Sequence, residues 1–228
     1  MTAPEPLVTT QTPVTLVGGG GLRDKDLHTC LTRGPVLVAA DGGADAILGR
    51  GLRPDAVIGD MDSLTAAGRA ELSPQVQHHI PDQDSTDFEK CLTRIAAPLV
   101  LGVGFTARRL DHTLAVFNTL VRHPTRRCVL INKSEAITLL PPEIALPLEP
   151  GCRVSLFPMG AVTGQSSGLE WPIDGQGFAP DGAIGTSNRA TGPVHLTLDA
   201  PRMLVFLPRG RLNVLLEALE AAPRWAEG

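Results

Sequence analysis

The sequence predicts an α/β chain in two parts: a Rossmann-like three-layer domain built on a parallel sheet, then a smaller all-β sandwich or barrel. Three observations predict it. From residue 14 to about 132, short β-branched runs alternate with stretches long enough for crossover helices, the pattern of a parallel sheet covered on both faces. From about Glu135 the chain turns to short alternating segments broken by Pro and Gly, as in small sandwiches and barrels. The 228 residues are 43% hydrophobic, ample for a packed core.

In order, Val14 to Val17, Val36 to Ala39, Ala56 to Ile58, Val76 to Ile80, Leu99 to Val103 and Cys128 to Ile131 read as strands, with helices between them. The stretch after Phe105 is the clearest helix. Leu110, Leu114, Phe117 and Val121 fall at helical spacing, Thr106 can cap the start, and Pro124 lies past the end. In the second half, Ile144 to Leu148, Arg153 to Phe157, Val194 to Leu198 and Met203 to Phe206 read as strands, and Leu212 to Ala221 as a closing helix. The boundary is set at 134/135, giving an α/β domain over 1–134 and a β domain over 135–228.

The formal charge of −4, without a long Lys/Arg block, argues against nucleic acid or an anionic membrane surface as partner. The first 13 residues show no basic flank followed by an apolar stretch, so neither signal peptide nor anchor is expected, and a cytoplasmic location is. Cys30, Cys91, Cys128 and Cys152 are scattered without a C-x-x-C pair, which reads as reduced thiols, and no structural zinc is expected.

The chemistry concentrates in carboxylates. Asp60 and Asp62 follow the apolar run Ala56-Val57-Ile58, and alternation along a strand points them the same way. Two such acids repel each other unless a cation intervenes, and paired carboxylates completed by waters and substrate phosphates are how Mg²⁺ is held in phosphoryl transfer. Either acid alone would also serve as a turn former. Asp84 and Asp87 are spaced as the N-cap and third residue of a helix whose apolar face is Phe88, Cys91, Leu92 and Ile95. On this reading Asp84 caps, while Asp87 faces the metal and phosphates.

Gly18 to Gly21 follow the first strand, as a phosphate loop would, but without a Walker or dinucleotide ending, so a plain turn stays open. Asp41-Gly42-Gly43 follows the second strand, where an Asp-Gly turn is the competing reading. Arg108 and Arg109 can reach phosphates, or can form an exposed face with an ion pair between Arg108 and Asp111. Trp171 lies in loop-like surroundings as a stacking platform or, more commonly for tryptophan, a core residue.

In series these motifs resemble the thiamine pyrophosphokinase family over nearly the whole chain. Ala40-Asp41-Gly42-Gly43-Ala44, Pro54-Asp55, Ile58-Gly59-Asp60-Met61-Asp62-Ser63 and Pro81-Asp82-Gln83-Asp84-Ser85-Thr86-Asp87-Phe88 resemble its nucleotide half. Arg109-Leu110-Asp111-His112 resembles its G-R-x-D-H element, and Gly168-Leu169-Glu170-Trp171 with Gly185-Thr186-Ser187-Asn188 its thiamine-contacting elements. The resemblance implies transfer of a pyrophosphoryl group from ATP to thiamine, giving thiamine diphosphate and AMP, with Mg²⁺, in a homodimer whose active sites lie between subunits. It implies Asp60, Asp62 and Asp87 as metal ligands, with Arg109 and Asp111 organising the polyphosphate. It places Asp41, Gly42, Gly43, Asp84, Thr86, Arg109 and His112 at ATP, and Gln83, Trp171, Ser187 and Asn188 at thiamine. Ala107-Arg108 stands where the family often has two glycines, and Val116 where it has an Asn, with Asn118 two places later. The rival readings are a pyrophosphokinase for another alcohol, such as a hydroxymethylpterin, and a non-catalytic nucleotide or thiamine sensor.

Overall fold

The computed structural model describes residues 4–106 and 109–226. Ala107 and Arg108, the departure from the double glycine, lie outside the described residues. The chain forms two compact units, one of residues up to Thr119 with Arg126–Lys133, the other of Leu120–Thr125 with the chain from Ser134 onward. The architecture is mixed α/β.

In the first unit the elements run β1 (Val8–Thr9), β2 (Val14–Val17), α1 (Asp24–Leu31), β3 (Val36–Ala40), α2 (Gly43–Leu48), β4 (Ala56–Gly59), α3 (Ala66–Glu71), β5 (Gln77–His79), α4 (Asp87–Arg94), β6 (Ile95–Ala96), β7 (Val100–Val103), α5 (Leu110–Arg122) and β8 (Cys128–Ile131). Strands pair in the order β8-β7-β2-β3-β4-β5, every pair parallel. Strands β2, β4, β7 and β8 are buried along their full length, so they read as unbroken apolar runs. β1 and β6 form a separate parallel pair.

Three expectations change here. The run from Val76 to Ile80 holds only three strand residues, because Pro74 opens a 3₁₀ turn over Pro74–Val76 whose cap is the Ser73 side chain. Helix α5 forms, but it turns a different face inward: Thr113, Val116, Thr119 and Leu120 are buried, while Leu110 and Leu114 are 76% and 53% exposed. The threonines tolerate the buried face because their hydroxyls donate to carbonyls one turn back, Thr113 to Arg109 at 3.1 Å and Thr119 to Ala115 at 2.9 Å. Thr106 does not adjoin the helix start; its hydroxyl accepts from the Asn132 amide at 3.3 Å.

In the second unit β9 (Glu135–Leu139), β10 (Glu143–Leu146), β11 (Arg153–Pro158), β12 (Gly164–Leu169), β13 (Gly185–Leu198), β14 (Met203–Pro208) and α6 (Leu212–Ala221) follow. These strands pair antiparallel throughout, in the order β10-β13-β11-β14-β9, with β12 pairing β13 as well. The long β13 alternates inward Val194, Leu196 and Leu198 with exposed neighbours, the mark of a sheet buried on one face. Helix α6 packs against β10. No helix among the described residues is long and apolar enough to cross a membrane.

Candidate active site

Strand β4 is apolar to its end, and its last residue is glycine for a spatial reason. A Cβ on Gly59 would stand 2.8 Å from the Asp41 Cβ and 3.2 Å from the Asp87 carboxylate. With no side chain there, Asp41 after β3, Asp60 after β4 and Asp87 at the head of α4 converge: each offers a carboxylate oxygen, all within 4.8 Å of one another. Met61, buried and at φ 64°, turns the chain immediately after Asp60. Arg69 holds that turn by donating to the Met61 carbonyl at 2.8 Å. Asp62, exposed beyond the turn, is not one of these three but lies beside them, its charge and hydrogen bonding bearing on all three carboxyls, and its own carboxylate accepts from the Ser63 hydroxyl at 2.9 Å.

Asp41 is the most enclosed of the three. One of its oxygens accepts the Ser63 backbone N–H at 3.0 Å, while the other, Oδ1, is buried without a hydrogen-bond partner among the described residues. Burial pushes the carboxyls of Asp41 and Asp87 above the ordinary carboxylate range, the charge of Asp87 adding to the rise at Asp41. Asp60 goes the other way, held below that range by a hydrogen bond from Lys90. Lys90, one turn into α4, is 1% exposed, and its Nζ lies 2.8 Å from Asp60 and 3.2 Å from Asp87. Burial pulls the ammonium down, but the two carboxylates outweigh it and hold Lys90 above its usual value. The ammonium neutralises one of the three carboxylates and leaves a net negative cluster of hard oxygens, a donor set suited to Mg²⁺. The orphaned Asp41 oxygen and the cradle beside Gly59 fit such an ion.

Sequence reasoning assigned Asp41 to nucleotide contact without placing it in the carboxylate group, and it missed Lys90. The one signal was the spacing of Asp87 and Lys90, three apart on a predicted helix. The capping expectation is corrected. Thr86 caps α4, its hydroxyl accepting from the Glu89 N–H at 3.3 Å, which makes Asp87 the first helical residue. Asp84 lies before the helix, and its own N–H donates to Asp82 at 2.9 Å. A hydroxyl cap frees the Asp87 carboxylate to turn toward Asp60.

Around the cluster opens a cavity of about 760 Å³, lined among others by Gly18 to Gly20, Asp41, Gly42, Asp60, Thr86, Asp87, Lys90, Arg109 and His112. That volume suits a nucleotide-sized ligand. The glycine loop is held by backbone bonds from Gly18 to Val103 at 2.8 Å and from Gly20 to Gly104 at 2.9 Å. Gly43 has a packing role: a Cβ there would come 2.2 Å from the Val17 carbonyl. Arg109 pairs with Asp111 through two contacts, 3.2 and 2.5 Å, both side chains exposed. Val116 lines the cavity, while Asn118 is exposed. Gln83 is exposed and donates to the Pro81 carbonyl at 3.4 Å.

In the second unit Trp171 follows β12 and is 53% exposed, so it is not a core residue. Its neighbour across the sheet, Asn188 on β13, is buried, and Ser187 before it is exposed at φ 64°.

The model of the thiamin pyrophosphokinase catalytic domain matches residues 27–131, and that of the thiamin pyrophosphokinase vitamin B1 binding domain matches residues 143–203. Thiamine pyrophosphokinase 3 of Oryza sativa subsp. japonica is 29% identical over 191 residues, 68% of this chain and 71% of its own. Thiamine pyrophosphokinase 1 of Arabidopsis thaliana is 31% identical over 156 residues, 60% of this chain and 58% of its own. Among solved structures, thiamin pyrophosphokinase from Candida albicans superposes with a TM-score of 0.72 at 15% identity, covering 90% of this chain and 97% of that one. The yeast thiamin pyrophosphokinase gives 0.73 at 16% identity, covering 89% and 88%. At those identities the structures speak to fold alone, but the two domain models together span most of the sequence in the matching order: the chain belongs to the thiamin pyrophosphokinase family.

Proposed function

We propose that this protein transfers a pyrophosphoryl group from ATP to the hydroxyethyl oxygen of thiamine, releasing AMP and thiamine diphosphate. The observation that carries the reading is the convergence of Asp41, Asp60 and Asp87 at the wall of a nucleotide-sized cavity in a chain of this family. The domains are an α/β, Rossmann-like nucleotide domain over 1–134 and a β sandwich or barrel over 135–228, in a cytoplasmic homodimer with active sites between subunits.

Asp41, Asp60 and Asp87 would hold Mg²⁺, with Asp62 reaching it from the same loop. Bound there, the ion supplies charge neutralisation for the transferred group. The chain's own groups do the positioning. Glycines 18 to 20 and Gly42 let backbone approach the phosphates, and Thr86, Asp84 and His112 flank them. Arg109, permanently charged, is oriented by Asp111 toward the polyphosphate. Attack is in line on the β-phosphorus and needs no covalent intermediate, so no nucleophilic side chain is called for. The acceptor side is Trp171, Ser187, Asn188 and Gln83, with thiamine stacked on the exposed indole.

The match to a vitamin B1 binding domain argues against another alcohol as acceptor, and the carboxylate cluster argues against a mere sensor. The test is AMP release from Mg-ATP with and without thiamine, with thiamine diphosphate followed in parallel. Thiamine-dependent AMP with matching diphosphate is expected. Thiamine binding without turnover would overturn the catalytic reading, and turnover only with a pterin alcohol would overturn the acceptor.

A further inference from the structure

We infer that Asn188 is a positioning residue whose side chain acts on the acceptor through Trp171, by clamping the backbone that presents the indole. The inference rests on the proposed stacking of thiamine on Trp171. It departs from the expectation that the Asn188 amide itself contacts the pyrimidine.

The amide is already occupied at both ends. Its Oδ1 accepts the Trp171 N–H at 3.2 Å, and its Nδ2 donates to the Trp171 carbonyl at 2.7 Å. The same Oδ1 also accepts the Arg189 N–H at 2.8 Å. Asn188 is 4% exposed whereas Trp171 is 53% exposed, so the clamp is internal and the clamped ring faces outward. A buried amide with these partners has little left to offer a ligand, and its removal would strand the peptide groups it satisfies.

The backbone is built around this contact. On β13, Ser187 is left-handed at φ 64°, and its N–H donates to the buried Ser155 hydroxyl at 3.0 Å. Across from it, the register of β11 shifts between Val154 and Leu156. Exposed Thr186 and Ser187 thus come in succession, and Asn188 falls on the inner face. On β12, Gly168 is left-handed at φ 77°, where a Cβ would stand 2.0 Å from the Pro193 carbonyl, and the register with β13 shifts between Ser167 and Leu169. Two irregularities on strands flanking β13 bring one side-chain amide against one peptide segment.

Replacing Trp225 by Phe leaves Trp171 as the sole tryptophan. In that background, acrylamide quenching and anisotropy of the thiamine-free enzyme read the clamp directly. Asn188→Ala is expected to raise the quenching constant and lower the anisotropy; values equal to the parent would overturn the clamp. Where Asn188→Ala fails to fold, Asn188→Asp serves, since it keeps the acceptor for Trp171 N–H but sets an oxygen against the Trp171 carbonyl. Kinetically, Asn188→Ala is expected to raise the thiamine KM about tenfold while the ATP KM stays within about twofold. In a Trp171→Ala background the same change should cost about twofold or less, because residues acting through one contact are non-additive. Additive effects would put the Asn188 amide on the substrate and overturn the inference. A thiamine KM untouched by Trp171→Ala would instead remove the stacking platform, with the quenching still deciding the clamp.

Discussion

Replacing Lys90 by Met tests the electrostatic reading of the site where it is most exposed to failure. The substitution keeps the buried methylene stem and removes the ammonium that lies 2.8 Å from Asp60 and 3.2 Å from Asp87. Two hydrogen bonds to charged partners are worth about 3–6 kcal/mol if simply added. Two corrections pull that down. The ammonium is 1% exposed, so the folded protein bears a desolvation cost that the variant escapes, and buried ion pairs are often near break-even for that reason. The carboxylates left behind are not sealed in, since the Asp60 and Asp87 side chains retain 15% and 34% exposure and can rehydrate. A net loss of about 2–3 kcal/mol remains, which for a chain of this size lowers Tm by roughly 5–10 °C.

Differential scanning calorimetry of parent and variant, with chelator and then with millimolar Mg²⁺, measures it. With chelator the variant should melt lower by that amount. With Mg²⁺ the gap should narrow, because three carboxylates without their ammonium bind a cation more strongly and binding to the folded state stabilises it by mass action. A Tm within about 2 °C of the parent under both conditions would show that Lys90 contributes nothing net. A gap that ignores Mg²⁺ would refute the assignment of these carboxylates to a cation.

Asp41→Asn should cut turnover on the order of 10²–10³-fold, read as kcat, while leaving the metal-free melting temperature at or above the parent's, since it removes a carboxylate whose charged form burial disfavours. Retained turnover would take Asp41 out of the site. Gly59→Ala puts a Cβ 2.8 Å from the Asp41 Cβ, so urea titration should show a loss of about 1–3 kcal/mol together with a smaller Mg²⁺-induced rise in Tm. The pH dependence carries two opposite signs. Burial raises Asp87 in the folded state, so its contribution is present below the unfolded carboxylate value and is lost as pH rises through the raised one; Asp87→Asn should therefore gain on the parent in urea midpoint as pH climbs from the unfolded carboxylate value through the raised one, without metal. Asp60 is lowered by the Lys90 hydrogen bond, so its contribution is present above the unfolded value and is lost as pH falls through the depressed one; Asp60→Asn should be costliest at neutral pH, and an unchanged acid limb would refute the pairing.

What the sequence made legible follows from which forces leave a local trace. Buried parallel strands are contiguous apolar runs, so β2, β3, β4, β7 and β8 were readable to within a residue or so, and α6 from its own periodicity. Strand β12, Gly-Gln-Ser-Ser-Gly-Leu, has almost none of the usual β-formers and forms through pairing with β13, which no local window sees. The inward face of α5 was misread because threonine counts as polar until its hydroxyl bonds one turn back. The site divides the same way. Asp60 and Asp87 stood out as clustered acids. Lys90 did not, because lysine is almost never fully buried unless paired, and the pairing with Asp60 spans 30 residues of sequence.

The strained backbone tells where the two units spend stability. Among the described residues, the non-glycine positions with positive φ are Asp41, Met61 and Ser187, and each adjoins or is a residue of the proposed sites. Such conformations cost on the order of 1–3 kcal/mol each and persist only where the surroundings over-determine them. They are over-determined here. Asp41 donates its N–H to Ile58 and accepts Ala44 at its carbonyl, Met61 is held at its carbonyl by Arg69, and Ser187 is held at its N–H by Ser155. In each case the turn decides which side chain points inward: Asp41 toward Asp60, Asp60 rather than Asp62 toward the cluster, Asn188 toward the Trp171 backbone. The left-handed Met61 thus sets the two acids apart, Asp60 converging with Asp41 and Asp87 from two other elements while Asp62 follows on the exposed side of the turn.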